Sequence, residues 1–332
     1  MMKKFISRSV LFILPFVLMA YVTDIFISKN LKKISSYKEG EFSVWNDLYE
    51  GKIKAEIVIY GSSRAWLHID PSMMEDSLHI TTYNLGINSH NFWMENFRHK
   101  LLLKYNSKPR LIIHSLGFST MEKRADLFNA DQFLPYMLFN KEMEATIIGY
   151  KGYTKADFYI PLLRYYGKRD ALLRVFQYCI NPSNNPVKRI KGYEGVEDLS
   201  WHNDLDKVKK KMKYNEVKID TTTISLFEKY IIDCKKQNIR VLLLNTPEFI
   251  DGQLFTKNLK DVIQIYKDIS TKYDVPFYDF SNDSMSYQKK YFFNAEHLNK
   301  LGAETFTKKL IDTLKRSALL DGIKTTISFQ GH

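Results

Sequence analysis

Two short segments, more than two hundred residues apart, carry residue types suited to nucleophilic chemistry. The first is Gly61-Ser62-Ser63-Arg64, which follows a short apolar run at 56–60. A serine on a tight turn between strand and helix presents its hydroxyl to solvent and can receive help from nearby backbone N–H groups. The second is Phe293-Asn294-Ala295-Glu296-His297-Leu298-Asn299, just ahead of an amphipathic stretch at 303–314. The chain has only eight histidines. A histidine at that helix start can be brought back over a sheet edge toward the first turn. A serine hydroxyl is a poor nucleophile at neutral pH and needs an adjacent base, usually imidazole. Taken singly, each segment also fits a bland role, as a Gly-Ser turn or a surface histidine. Their pairing points to chemistry.

The elements that must position this pair are legible as a pattern. Five short runs, at 56–60, 81–85, 110–116, 239–245 and 275–280, are candidate strands. Several are apolar on consecutive residues, which suits strands covered on both faces of a parallel sheet. Helical patterns lie between them. Ile224, Phe227, Ile231 and Cys234 recur at spacings of three and four, and 259–273 looks similar. Strands alternating with helices predict an α/β fold, a three-layer doubly wound parallel sheet of about five strands. The stretch from about 121 to 215 breaks the alternation. It is rich in Tyr, Phe and Lys and reads as a mostly helical insertion, either a lid that shapes a substrate site or a structural elaboration.

At the start of the chain, Lys3, Lys4 and Arg8 precede an apolar run from Val10 to Val22 that continues past Asp24 to Ile27. A positive flank before such a run is an export signal or a signal anchor. With no small-x-small cleavage pattern after it, the expectation is an uncleaved transmembrane helix at 1–28. A spacer at 29–53, the main domain at 54–320 and a C-terminal tail at 321–332 would follow. The N-terminal charges would stay in the cytoplasm, although Lys29, Lys32 and Lys33 beyond the run work against that orientation. The main domain would then be extracytoplasmic on a single-pass membrane protein.

Composition narrows the partners. Of 332 residues, 45% are hydrophobic and 26% charged, which is globular rather than disordered. The formal charge of +12, with a dense run at 207–213, attracts polyanions. No zinc finger, RNA-recognition signature or other nucleic-acid motif accompanies it. The charge therefore reads as membrane and surface chemistry, with the lipid bilayer as partner and no nucleic acid. Cys179 and Cys234 have neither metal-ligand nor redox spacing; they are two thiols or one disulfide. No metal cluster or phosphate-binding glycine loop is visible in the sequence, so no cofactor is expected.

The motifs resemble the SGNH (GDSL-type) hydrolase superfamily, which includes lipases, esterases and polysaccharide O-acetylation proteins. Gly61-Ser62-Ser63 resembles its first block, with Ser63 as nucleophile and Arg64 as a candidate support. Gly86 in Tyr83-Asn84-Leu85-Gly86 matches the glycine whose N–H, with that of Ser63, would hold an oxyanion. Asn294-Ala295-Glu296-His297-Leu298-Asn299 with Gly302 is similar to the last block, Asp-x-x-His, except at the aspartate. GSSRA, HIDP, YNLG, Asn245-Thr246-Pro247-Glu248 and FYDFSND look like a membrane-anchored branch related to polysaccharide O-acetylation and teichoic-acid D-alanylation accessory proteins. The likeness covers roughly 54–120 and 224–314.

Two departures matter. The family's third block supplies an Asn to the oxyanion hole, whereas here the third strand runs into His114-Ser115-Leu116-Gly117-Phe118-Ser119; Ser115 and Ser119 are the candidate replacements. Losing one such donor costs about 10²–10³ in rate. Asn294 stands in the aspartate's place, an exchange that in serine proteases costs about 10⁴. The nearby carboxylates Glu296 and Asp283 lack the family spacing. The resemblance thus implies a serine esterase or an O-acyltransferase on cell-surface glycan or lipid-linked acyl esters, with a multi-spanning membrane acyltransferase as partner. The departures keep open a catalytically weak accessory protein of a surface-polymer assembly complex, and the serine turn with its helix termini also suits an anion site.

Overall fold

The computed structural model describes residues 2–323 apart from 36, 184, 188 and 199. Of the expected tail at 321–332, residues 324–332 lie outside the described residues. The chain opens with helices α1 (Met2–Lys32) and α2 (Glu41–Tyr49). Next come β1 (Ile57–Gly61), α3 (Ser63–His68), α4 (Pro71–Leu78), β2 (Thr82–Asn84), α5 (Phe92–Tyr105) and β3 (Leu111–Leu116). The short helices α6 (Leu134–Met137), α7 (Lys141–Ile147) and α8 (Ala156–Tyr159) precede a longer one, α9 (Arg169–Ile180). After α10 (Asp204–Lys209) come α11 (Thr221–Lys236), β4 (Arg240–Asn245) and α12 (Ile250–Phe255). The last elements are α13 (Leu259–Tyr273), β5 (Phe277–Asp279) and α14 (Lys300–Lys315).

These elements form two compact units: residues 1–46 with 124–188, and residues 47–123 with 189–332. The second unit carries a five-stranded sheet in the order β2-β1-β3-β4-β5, parallel throughout. It is the doubly wound α/β fold that the alternation predicts. Every residue of β1 and β3 is buried, which is why those runs are apolar on consecutive positions. Ile57, Ile59, Ile113, Leu242 and Leu244 share one core with Phe306, Leu310 and Leu314 of α14. On the opposite face Tyr60 and His114 stack at 6.1 Å, and Phe92 of α5 meets Phe227 and Tyr230 of α11. From β1 the chain turns to β2 on one side and then crosses to β3 on the other. The carboxyl end of β1 is therefore the topological switch point where such sheets bind ligands.

Backbone geometry makes the turn after β1 narrow. Gly61 has φ +140°, and a Cβ there would lie 2.4 Å from the Ser115 carbonyl oxygen on the neighbouring strand. Only glycine fits both demands.

In the first unit, α1 exposes nearly all side chains from Met2 to Val22, then buries Asp24, Ser28 and Leu31 at spacings of four and three. It is long and apolar enough to cross a membrane, and it continues past 28 because that last stripe packs on the rest of its unit. Asp24, which in the sequence sits at the end of the apolar run, forms a two-pronged pair with Arg164: Nη1 to Oδ2 at 2.7 Å and Nη2 to Oδ1 at 2.6 Å. Both side chains are buried. Trp45 packs edge-on against Phe133 and donates to Gln132 in the same unit.

Replacing Gly61 by Ala should destabilise the second unit by about 2–3 kcal/mol through overpacking and backbone strain. Denaturant melts of wild type and variant check this, and an unshifted midpoint would mean the turn has slack.

Candidate active site

The sheet places Ser63 at the first position of α3, directly beyond the carboxyl end of β1. His297 lies two residues before Asn299, which caps α14 by accepting the Gly302 N–H at 2.9 Å. Helices α3 and α14 pack together, and Thr307 of α14 reaches the backbone of Asp70 at 3.1 Å. That packing closes the 234-residue separation: Ser63 Oγ lies 2.7 Å from His297 Nε2. Both side chains are half-buried.

The imidazole's other nitrogen, Nδ1, lies 3.1 Å from Asn294 Oδ1. That same oxygen accepts the backbone N–H groups of Glu296 at 3.0 Å and His297 at 2.9 Å. Two backbone donors identify it as the carbonyl end of the amide, so Nδ1 must carry the ring proton. Nε2 then presents its lone pair to the serine hydroxyl. Phe293 stacks on the ring at 5.5 Å and 10° between planes. Burial, and then the positive charge of Arg64, lowers the His297 pKa to about 4. Asn294 supplies orientation but no charge to hold a proton on the ring.

Arg64 follows the serine and points into the protein. Its Nε donates to Thr246 Oγ1 at 3.2 Å, its Nη2 to Asn245 Oδ1 at 3.1 Å and to the Thr246 carbonyl, and its Nη1 lies 3.4 Å from Glu248 Oε2. It thus ties the serine turn to the end of β4. Burial raises the Glu248 pKa to about 7, although Arg64 pulls it down. His68 is also buried: its Nε2 accepts the Leu298 N–H at 3.1 Å, so its Nδ1 donates to Thr246 Oγ1 at 2.9 Å. Burial and Arg64 hold its pKa well below the usual value. His68 therefore fixes the backbone beside His297, a positioning role that only the HIDP phrase hints at in sequence.

The other sequence candidates fall differently. The Gly86 N–H donates to Asn84 Oδ1 at 2.9 Å, so it is engaged within its own turn rather than aimed at a reacting carbonyl. The glycine is needed for close approach, since a Cβ there would lie 2.7 Å from the Trp66 backbone nitrogen. The Gly117 N–H is likewise taken, by Thr120 Oγ1 at 2.8 Å. Ser115 lies inside the sheet opposite Gly61, with its hydroxyl buried and unpartnered, away from solvent. Ser119 sits half-buried in the turn after β3. Asp283 is held by Lys309 at 2.6 Å, and Glu296 points to the exposed surface; neither replaces Asn294 at the ring. Ser63 opens α3, where helix geometry leaves its N–H without an intrahelical acceptor.

A cavity of about 290 Å³ adjoins this group, with Asn294, Glu248, Leu205, Val208 and Phe255 on its walls. A larger one, about 590 Å³, opens at the amino ends of β3 and β4 among Arg110, Arg240 and Asp274, at the opposite end of the sheet from the serine. Cys179 is exposed and Cys234 buried, and both are free thiols. Among the described residues no group of three His, Cys, Asp or Glu is arranged to hold a metal ion.

No protein-family model matches the chain, and no curated protein does. Solved structures with a similar fold include a candidate platelet activating factor from Streptococcus pneumonia, at 11% identity over 93% of this chain and 99% of that one, TM-score 0.38. An acetyl xylan esterase matches at 12% identity over 78% and 99%, TM-score 0.39. A candidate acylhydrolase from Bacteroides fragilis matches at 12% over 78% and 88%, TM-score 0.35.

Asn294→Asp should raise the His297 pKa above its value near 4, because a carboxylate beside Nδ1 stabilises the imidazolium. An NMR titration of the His297 ring in both proteins reads the two midpoints. Coincident midpoints would show that residue 294 does not govern the ring.

Proposed function

We propose that the second unit is an SGNH-type serine acyl-transfer domain. The observation that carries this reading is the chain of contacts from Ser63 Oγ to His297 Nε2 at 2.7 Å and from His297 Nδ1 to Asn294 Oδ1 at 3.1 Å. Ser63 Oγ attacks an ester carbonyl as its proton passes to Nε2, and the new Oγ–C bond forms a tetrahedral oxyanion. The Ser63 N–H is the donor available to that oxyanion; Gly86 joins it only if its bond to Asn84 is exchanged. Collapse expels the alcohol, which takes the proton back from Nε2 and leaves an acyl-serine. Water or a sugar hydroxyl then attacks the acyl carbon, giving its proton to Nε2, and the second tetrahedral intermediate collapses as Ser63 Oγ leaves and takes that proton back. Water as acceptor makes the protein an esterase; a sugar hydroxyl makes it an O-acyltransferase.

An imidazole with a pKa near 4 stays neutral, and so competent as base, across the neutral range. It is also a weak base, with less driving force for proton transfer. The expected chemistry is slow and persists to acid pH. The cavity beside Asn294, with Leu205, Val208 and Phe255 set among polar residues on its walls, supports an acyl or lipid-linked substrate, and α1 supports attachment to a bilayer with the main domain extracytoplasmic. A surface glycan as acceptor and a multi-spanning membrane acyltransferase as partner belong to the same reading.

A second reading, an SGNH-fold accessory protein without turnover, is favoured by Asn294 and by the engaged Gly86 N–H. Fluorophosphonate labelling of the full chain in detergent separates the two. On the enzymatic reading the probe bonds to Ser63, Ser63→Ala abolishes the adduct, and His297→Ala slows labelling by about 10²-fold or more. No adduct on folded protein would overturn it in favour of the accessory role.

If His297 is the base, labelling should fall only as pH drops through about 4, since the neutral ring is lost there. Asn294→Asp should speed labelling at neutral pH by at least about tenfold, below the roughly 10⁴ that a full triad carboxylate is worth, and should shift the acid limb upward. A pH–rate series on both proteins checks the sign; a limb that moves downward would exclude this base.

A further inference from the structure

We infer that α9 is an in-plane membrane helix, a second lipid contact of the first unit beside the spanning helix α1. The α9 sequence divides its surface three ways. Ala171 and Val175 are buried, on the side where α9 packs with α1. Leu172, Phe176 and Ile180, at spacings of four, form with Leu173 a second stripe that is 39%, 63%, 68% and 45% exposed. Asp170, Arg174 and Gln177 occupy the remaining, polar side. At 100° per residue the exposed apolar stripe spans about a third of the helix circumference, with Arg169 at its amino-terminal end, and the polar side adjoins it at Gln177. A helix that already has a buried face gains nothing from a second apolar face in water. Apolar faces of this kind seat about 5–10 Å into the headgroup boundary of a bilayer.

What surrounds α1 where it leaves its unit names the occupant. Tyr21 of α1 meets Phe139 with ring centroids 6.3 Å apart, and Phe139 meets Tyr159 at 6.1 Å. Phe139, Tyr159 and Ile160 are all exposed, and Tyr166, just ahead of α9, is 89% exposed. The exposed apolar surface of α1 thus runs into an aromatic collar. Aromatic residues gather at the depth of lipid headgroups. Arg169 and Arg174 on α9 are exposed and suit anionic headgroups. Continuity with a bilayer-spanning helix favours lipid over a second protein chain as the covering partner.

The inference rests on α1 crossing the bilayer and is independent of the chemistry at Ser63. Its test uses the full chain with Cys179→Ser in lipid nanodiscs, Cys234 being buried. An environment-sensitive fluorophore is placed at Phe176→Cys, at Gln177→Cys on the polar side, or at Phe12→Cys in the span. Nanodiscs containing doxyl-labelled lipid should quench the Phe176 label at least about threefold more than the Gln177 label, as for a face seated in the interface. Aqueous iodide should show the reverse order. Equal quenching at 176 and 177, with position 12 quenched, overturns the α9 assignment and leaves the anchor standing. A Phe176 label shielded from both quenchers means a protein surface covers the stripe, which also overturns it. An unquenched position 12 removes the premise and with it the inference.

Discussion

A guanidinium is buried one residue beyond the candidate nucleophile, and much of the site's arrangement follows from satisfying it. Arg64 cannot shed its proton in a protein, so its desolvation must be offset by partners. The partners come from the end of β4, where Asn245, Thr246 and Glu248 converge on it. That demand fixes the turn after β1 against a strand two places away in the sheet. It also modulates the neighbouring acid–base behaviour, whose larger cause is burial. The same charge lowers the proton affinity of His297 and His68 and restrains the rise of Glu248. One cation therefore fixes where the serine stands and adds to the burial that makes its base a weak proton acceptor.

Against that background Asn294 has a specific effect. A serine triad normally balances the incoming imidazolium with a carboxylate. Here the third partner gives geometry without charge, in a neighbourhood that already holds a buried cation. The ring is held in the right tautomer and aimed at Ser63, yet each proton it takes meets unfavourable electrostatics. Orientation and basicity, usually supplied by one side chain, are separated in this site.

The sheet was legible because its strands are covered on both faces, so continuous apolar runs such as Ile57–Gly61 and Leu111–Leu116 announce themselves. Ser63 and His297 were legible because a turn glycine and a helix cap bracket them. What could not be read was how donors are shared. Gly86 occupies the position expected of an oxyanion donor, but Asn84, two residues earlier, takes its N–H. Its lack of a side chain answers to Trp66 and Ala65 on α3. Ser115 is buried by its register against Gly61, a fact of strand pairing rather than of local pattern. His68 and Thr246 gain meaning only when β4 and α14 arrive beside α3. Nor does local sequence reveal that residues 124–188 share a compact unit with the first 46, since the ties between them, among them the pair Asp24–Arg164, join positions far apart in the chain.

That pair has a consequence for the order of events at the ribosome. Asp24 lies at the end of the apolar helix, and its counter-charge is 140 residues further along the chain. At roughly 5–20 residues per second of synthesis, about 7–28 seconds separate the two. Through that interval the last turns of α1 carry an uncompensated carboxylate, which favours water over hydrocarbon or a dry protein core. The helix can form early, but its rotation against the rest of its unit is settled only when Arg164 appears. The seating of α1 is thus finished late, by the part of the chain that folds onto it, and a protein truncated before residue 164 would lack the charge that completes it.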